Sequence, residues 1–228
     1  MKNLQFEIDC YSVPREFDKL RIVENSGELF LAGEIDIIDS KGTLWDTYSV
    51  EIKGSERYPL SFPKLFEVGD AFPKIADWHV YESNDKSCCI DVPMNEKIIC
   101  KDGLHIMDYI KRFAIPYLAN QSYRKREGYY PFGEYSHGIV GRIEYYQEKL
   151  KAKSPSDFIK MFTLIINDFD PVRTAFCPIC EKSKFRKCHR SAFKELSFVK
   201  EFLIYDMSVL DPFFKANPNI KLPMPKAK

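Results

Sequence analysis

Period-two alternation of apolar residues from Gly27 to Val68, with helical spacing from Leu104 onward, predicts an α+β fold. That is an antiparallel β-meander packed by helices, since strands come first and helices afterwards. A third observation concerns the C-terminal third, where Cys177, Cys180, Cys188 and His189 fall within thirteen residues. Such a cluster predicts a small helical zinc-knuckle appendage.

Each element has its own signal. Residues 15–20, after Pro14, suggest a short helix. Leu29, Leu31, Ile35 and Ile37 share one side of a strand that Gly33 interrupts, which suggests a bulge or a close approach. Ser40-Lys41-Gly42 turns the chain, and Tyr48, Val50 and Ile52 carry a second strand. Tyr58-Pro59-Leu60-Ser61-Phe62-Pro63 is a stiff segment that cannot serve as a central strand, because two prolines fix φ and remove two donors. Residues 64–68 complete a three-strand meander. From Val92 to Asp102 a loop is expected. Asp102 then caps a helix carrying Leu104, Met107, Ile110 and Phe113, which Pro116 should kink or end. Ile139, Ile143, Tyr146 and Leu150 mark a second helix. Ser154-Pro155-Ser156-Asp157 starts a third, with a serine cap, proline at the first position and an acid three residues after the cap. The expected division is a first domain over 1–152, a helical segment with the knuckle over 153–211 and an extended tail over 212–228.

Composition narrows the function classes. The 228 residues are 45% hydrophobic, ample for a core. Lys+Arg 34 against Asp+Glu 33 lacks the basic excess of a dedicated nucleic-acid binder. No apolar run suits a membrane span, and the first nine residues, with Glu7 and Asp9, do not suit a signal peptide. A cytoplasmic protein with seven reduced cysteines is the expectation.

Two constellations carry chemistry. Residues 77–92 form a polar stretch ending in Cys88-Cys89-Ile90-Asp91. A thiol at the apolar edge of a loop can serve as a nucleophile once ionised. Taken alone, however, these sixteen residues favour two semi-buried, inert thiols. In the second constellation Cys177-Pro178-Ile179-Cys180 presents two sulfurs to one ion, and Cys188-His189 can close the site. Four protein ligands would make it a closed structural site. Free thiols with an exposed histidine are the competing reading. Lys182, Lys184, Arg186 and Lys187, with Phe185 interleaved, could touch phosphate or an acidic partner; solvated lysines are the commoner case.

The meander, Tyr58-Pro59 with Pro63, His79, and Cys89-Ile90-Asp91, in that order, resemble the ubiquitin-conjugating enzymes. Tyr58, Pro59 and Pro63 resemble the family's YPxxPP-type segment. His79 resembles the histidine of its HPN motif, and Cys89 its active cysteine. The resemblance implies that Cys89 is the nucleophile and Cys88 the neighbour. His79 is followed by Val80-Tyr81, so the oxyanion-stabilising asparagine of the family is absent at its usual place. Asn84 lies nearer the cysteine and carries no assignment. Ile115-Pro116-Tyr117-Leu118 and Gly133-Glu134-Tyr135-Ser136-His137-Gly138 are similar to the divergent bacterial members found with antiphage systems, including the short CBASS type. The knuckle resembles the SEC-C motif, with C-x2-C where that motif has C-x-C.

What this implies is a transferase that carries a protein C-terminus on Cys89 as a thioester and passes it to an amine. The donor would be a ubiquitin-like protein supplied by an activating enzyme, or a cyclic-oligonucleotide synthase. Lys86 would lower the Cys89 pKa, and Glu82, Asp85 and Asp91 would raise it; Glu82 or Asp85 could instead orient the attacking lysine. His79 is expected to hold the loop rather than act as a base. The competing reading is a non-catalytic binding module of the same fold, with Cys89 a relic.

Overall fold

The computed structural model describes residues 3–82, 85–131, 135–220 and 222. It divides into two compact units, 1–133 and 134–228. The described residues are mixed α and β, with a four-stranded antiparallel sheet and helices. No helix among the described residues is long and apolar enough to cross a membrane.

The first unit opens on helix α1 (Leu4–Cys10), earlier than the helix expected at 15–20. Asn3 decides its start, its side chain accepting the Phe6 N–H. Residues 13–15 form only a 3-10 turn. The strands β1 (Leu20–Asn25), β2 (Glu28–Ile38), β3 (Leu44–Lys53) and β4 (Lys64–Glu67) pair in sequence order. The meander therefore has four strands, one more than expected. The missed hairpin turns on Ser26 (φ 52°) and Gly27 (φ 78°), with Asn25 opposite Glu28. Two positive φ angles in a two-residue turn match the right-handed twist of the flanking strands. Gly33 is a close approach rather than a bulge: a Cβ there would stand 2.0 Å from the Lys19 carbonyl oxygen. The register irregularity lies instead at Ile37/Ile38.

Leu31, Ile35, Ile37, Tyr48, Val50, Ile52 and Leu65 form the buried face of the sheet. The prolines of 58–63 do stay out of the sheet, and the Tyr58-Pro59 peptide is cis. The buried Tyr58 donates its hydroxyl to Asp9 (2.5 Å) and accepts the Ile106 N–H (2.7 Å), tying α1 to the later helices.

A short helix α2 (Pro93–Ile99) occupies part of the expected loop, with Pro93 at its first position. Asp102 does not cap the next helix; α3 (Ile106–Tyr109) starts after His105. A π-turn over Ile110–Ala114 leads into α4 (Ile115–Glu127). Pro116 lacks an N–H, and its ring would strike the carbonyl four residues back in a regular helix. The widened turn before it absorbs both defects, so the helix continues past the proline.

In the second unit, α5 (Gly138–Leu150) follows the expected stripe and α6 (Pro155–Ile166) begins at the expected cap. The Asp157 carboxylate accepts the Ser154 N–H at 3.1 Å, as the capping signal requires. Helices α7 (Arg190–Ser197) and α8 (Lys200–Ala216) complete the unit. The boundary at 133 precedes the expected 152 because α5 packs with this unit. Tyr146 stacks edge-on to Phe162 at 4.8 Å and donates to Asp206 of α8 at 2.6 Å. Helix α8 also runs through Pro212, where an extended tail was expected to begin. Proline inside a helix costs about 3 kcal/mol. Burying Leu210 and Phe214 on either side offsets a comparable amount, at about 1.5–3 kcal/mol each. The last six residues lie outside the described ones.

Candidate functional site

The chain enters the 77–92 segment over a charged clasp. The fully buried Glu67 carboxylate accepts the N–H groups of Gly69 (2.8 Å) and Ala71 (3.2 Å) and pairs with Lys74. Three donors compensate its desolvation. Phe72 stacks on Trp78, and the Arg124 guanidinium covers the Trp78 ring at 4.4 Å. His79 follows in the left-handed region (φ 50°). Its ring lies 5.1 Å from that of Tyr130, and its carbonyl accepts the Tyr117 hydroxyl at 2.9 Å.

Val80 and Cys88 form an antiparallel bridge that closes the loop between them. Cys88 N–H donates to the Leu65 carbonyl of β4 at 2.8 Å, and Cys89 N–H donates to the His79 carbonyl at 2.7 Å. Consecutive side chains of extended backbone point to opposite faces. Cys88 therefore turns into the core, where burial pushes its thiol up to about 11. Cys89 turns outward and is half-buried. Cys10 and Cys100 are fully buried, each pushed up to about 12 by desolvation. Among the cysteines of 1–133, Cys89 alone is not sealed.

Burial also raises Cys89 above the ordinary thiol value; Glu96 and Asp91 add to this by charge repulsion, while a hydrogen bond from the Tyr81 hydroxyl opposes it. Asp91 thus acts as expected, and Glu96 and Tyr81 are functional candidates the sequence reading missed. Glu96 had a legible signal, because Asp91-Val92-Pro93 starts α2 and puts Glu96 in its first turn. The other candidates are engaged elsewhere. Asp85 pairs with Lys64 at 2.6 Å, the Glu82 carboxylate faces the Ala76 N–H at 3.4 Å, and Lys86 Nζ lies 3.5 Å from the Glu82 carbonyl. Asn84 lies outside the described residues.

In the second unit, the ligand atoms of Cys177, Cys180, Cys188 and His189 all lie within 4.8 Å of one another and can hold a metal ion. The two arms meet because Phe176 and Lys184 form a bridge and Cys177 N–H donates to the Ser183 carbonyl at 2.8 Å. Cys180 and Cys188 Sγ are 3.7 Å apart, close to the edge of about 3.8 Å that tetrahedral Zn–S bonds would give. His189 Nδ1 stands 3.3 Å from both Cys177 and Cys188 Sγ. Burial pushes His189 down, which favours the neutral ring a metal needs, while its Nε2 is buried without a hydrogen bond among the described residues. Burial works against a Cys180 thiolate, but N–H groups of Lys182 and Ser183 with the neighbouring thiols outweigh it and hold its pKa low. Phe185 is not an exposed aromatic between the lysines; it is fully buried against Phe193. Stacking on a nucleobase there is closed to it.

No family model, curated protein or solved structure matches the chain.

Proposed function

We propose that the chain is a cysteine-dependent acyl transferase. Cys89 would carry the C-terminus of a donor protein as a thioester and release it to an amine. The observation that carries this reading is the outward, half-buried Cys89 beside the sealed Cys88, Cys10 and Cys100. The order of a short helix, a four-strand meander, the Tyr58-Pro59 segment, His79 and Cys89 supports the likeness to ubiquitin-conjugating enzymes. A thioester divides one acyl transfer into two easier displacements. The donor classes are a ubiquitin-like protein delivered by an activating enzyme, or a cyclic-oligonucleotide synthase within bacterial antiphage defence.

For the second unit the proposal is a structural Zn2+ on Cys177, Cys180, Cys188 and His189. Three sulfurs and one imidazole within 4.8 Å of one another suit zinc, and four protein ligands would leave no open position for catalysis.

The upward shift of the Cys89 thiol favours the second reading, a non-catalytic binding module. Co-expression with the donor, followed by intact-mass analysis, separates the two. A reductant-sensitive adduct that Cys89→Ala abolishes and Cys88→Ala retains supports the transferase. An adduct surviving in Cys89→Ala overturns it.

A further inference from the structure

We infer that the Glu96 carboxylate takes the proton from an amine attacking an acyl group held on Cys89. The inference rests on the acyl-carrier reading of that cysteine. Glu96 lies in the first turn of α2, its N–H bonded to the Val92 carbonyl at 3.1 Å. Helical side chains tilt toward the helix N-terminus, so the carboxylate lies over the Val92–Pro93 turn. The residue before that turn, Asp91, sets its carbonyl 3.9 Å from Cys89 Sγ.

Asp91 is the nearer acid in sequence, but its two oxygens already accept the Val92 N–H and the Asn95 side-chain amide, each at 2.7 Å. Glu96 is half-buried, and its carboxylate makes no hydrogen bond or salt bridge with another described residue. Its charge acts on the Cys89 and Cys100 thiols and the Tyr81 and Tyr109 hydroxyls, while Asp91 and Lys97 act on it in turn. Burial first, then repulsion by Asp91, push Glu96 up to about 7, with Lys97 opposing. An acceptor near the working pH is the most effective compromise between being ionised and being basic.

An ammonium group gives one proton to the Glu96 carboxylate, and the freed amine attacks the thioester carbonyl carbon. The C–N bond forms and the C–S bond breaks. Cys89 leaves as a thiolate and takes the second proton from nitrogen, while Glu96 returns its proton to water.

The test needs no natural donor. Cys89 in the full chain is acetylated with p-nitrophenyl acetate, the acetyl is located by peptide mass, and its loss to added lysine is followed against pH. In parallel, iodoacetamide alkylates the free thiol. Glu96→Gln should slow aminolysis by about a hundredfold and remove the inflection near neutral pH. The same variant should speed alkylation, because removing a negative charge lowers the Cys89 pKa. Opposite directions in the two assays are what a purely structural role does not give. Glu96→Asp should fall between, and it decides the matter if Glu96→Gln does not fold. Unchanged aminolysis in either variant, or both assays slowing together, overturns the inference. Failure of a protein donor to load Cys89, with the acetyl result intact, overturns only the acyl-carrier reading.

Discussion

The Cys89 N–H donates to the His79 carbonyl at 2.7 Å, so the loop histidine reaches the cysteine through its backbone. The same carbonyl accepts the Tyr117 hydroxyl from α4, and Gln121 of that helix donates to the Trp78 carbonyl at 3.2 Å. Helix α4 thereby fixes the shelf on which the cysteine rests. A backbone role predicts tolerance at position 79. His79→Ala keeps the carbonyl and loses the Tyr130 ring contact, a cost of about 1 kcal/mol read from a denaturant midpoint. Adduct yield on Cys89 should fall by less than about tenfold; general-base loss would cost at least about a hundredfold.

Tyr81 offers a test of the thiol's own chemistry. Its hydroxyl favours the Cys89 thiolate, against burial and the charges of Glu96 and Asp91. Tyr81→Phe should raise the Cys89 pKa further and slow its alkylation near neutral pH about threefold to tenfold. Tyr81 is 38% exposed, so the fold should lose little. Equal alkylation rates in the two proteins would remove Tyr81 from the site.

Much of this was legible in the sequence. Leu31, Ile35, Ile37, Tyr48, Val50 and Ile52 alternate as buried strand residues do, and Ser154 with Asp157 states a helix start outright. The Cys177, Cys180, Cys188 and His189 cluster was readable because its four residues are near neighbours in the chain. Strand β1 was not, since Leu20-Arg21-Ile22-Val23-Glu24-Asn25 mixes its alternation with charges and follows a charged run. The π-turn before Pro116 was also hidden: a proline signals a defect but not how the backbone absorbs it. Which cysteine faces outward depends on where Leu65 and His79 present their carbonyls. That is a tertiary fact, reached from sequence only through resemblance.

A pH-dependent stability follows from Asp9. Burial raises this carboxyl, but hydrogen bonds from Tyr58, His105 and Gln5 outweigh that and leave it below its ordinary range. A depressed folded-state pKa stabilises the fold above the unfolded pKa of about 3.9, and the contribution disappears as pH falls through the folded value. Asp9→Asn should therefore lower the thermal midpoint at neutral pH and narrow its gap from the unsubstituted protein in strong acid. Tyr58→Phe should cost about 1–3 kcal/mol, because it strips a donor from Asp9 and an acceptor from the Ile106 N–H.

Metal removal should act on one unit only. Every ligand lies within 177–189, whereas Cys89, His79, Tyr81 and Glu96 belong to 1–133. Inductively coupled plasma mass spectrometry should find one zinc per chain. A strong chelator should release it and lower the thermal midpoint of the second unit, since ligand binding free energy is folding free energy in small metal sites. Cys177→Ser should do the same, because it removes the fully buried ligand 3.3 Å from His189. The Cys89 alkylation rate should stay constant throughout. A chelator that left the melting profile unchanged would show that Phe185, Phe193 and Leu196 hold this fold without the ion.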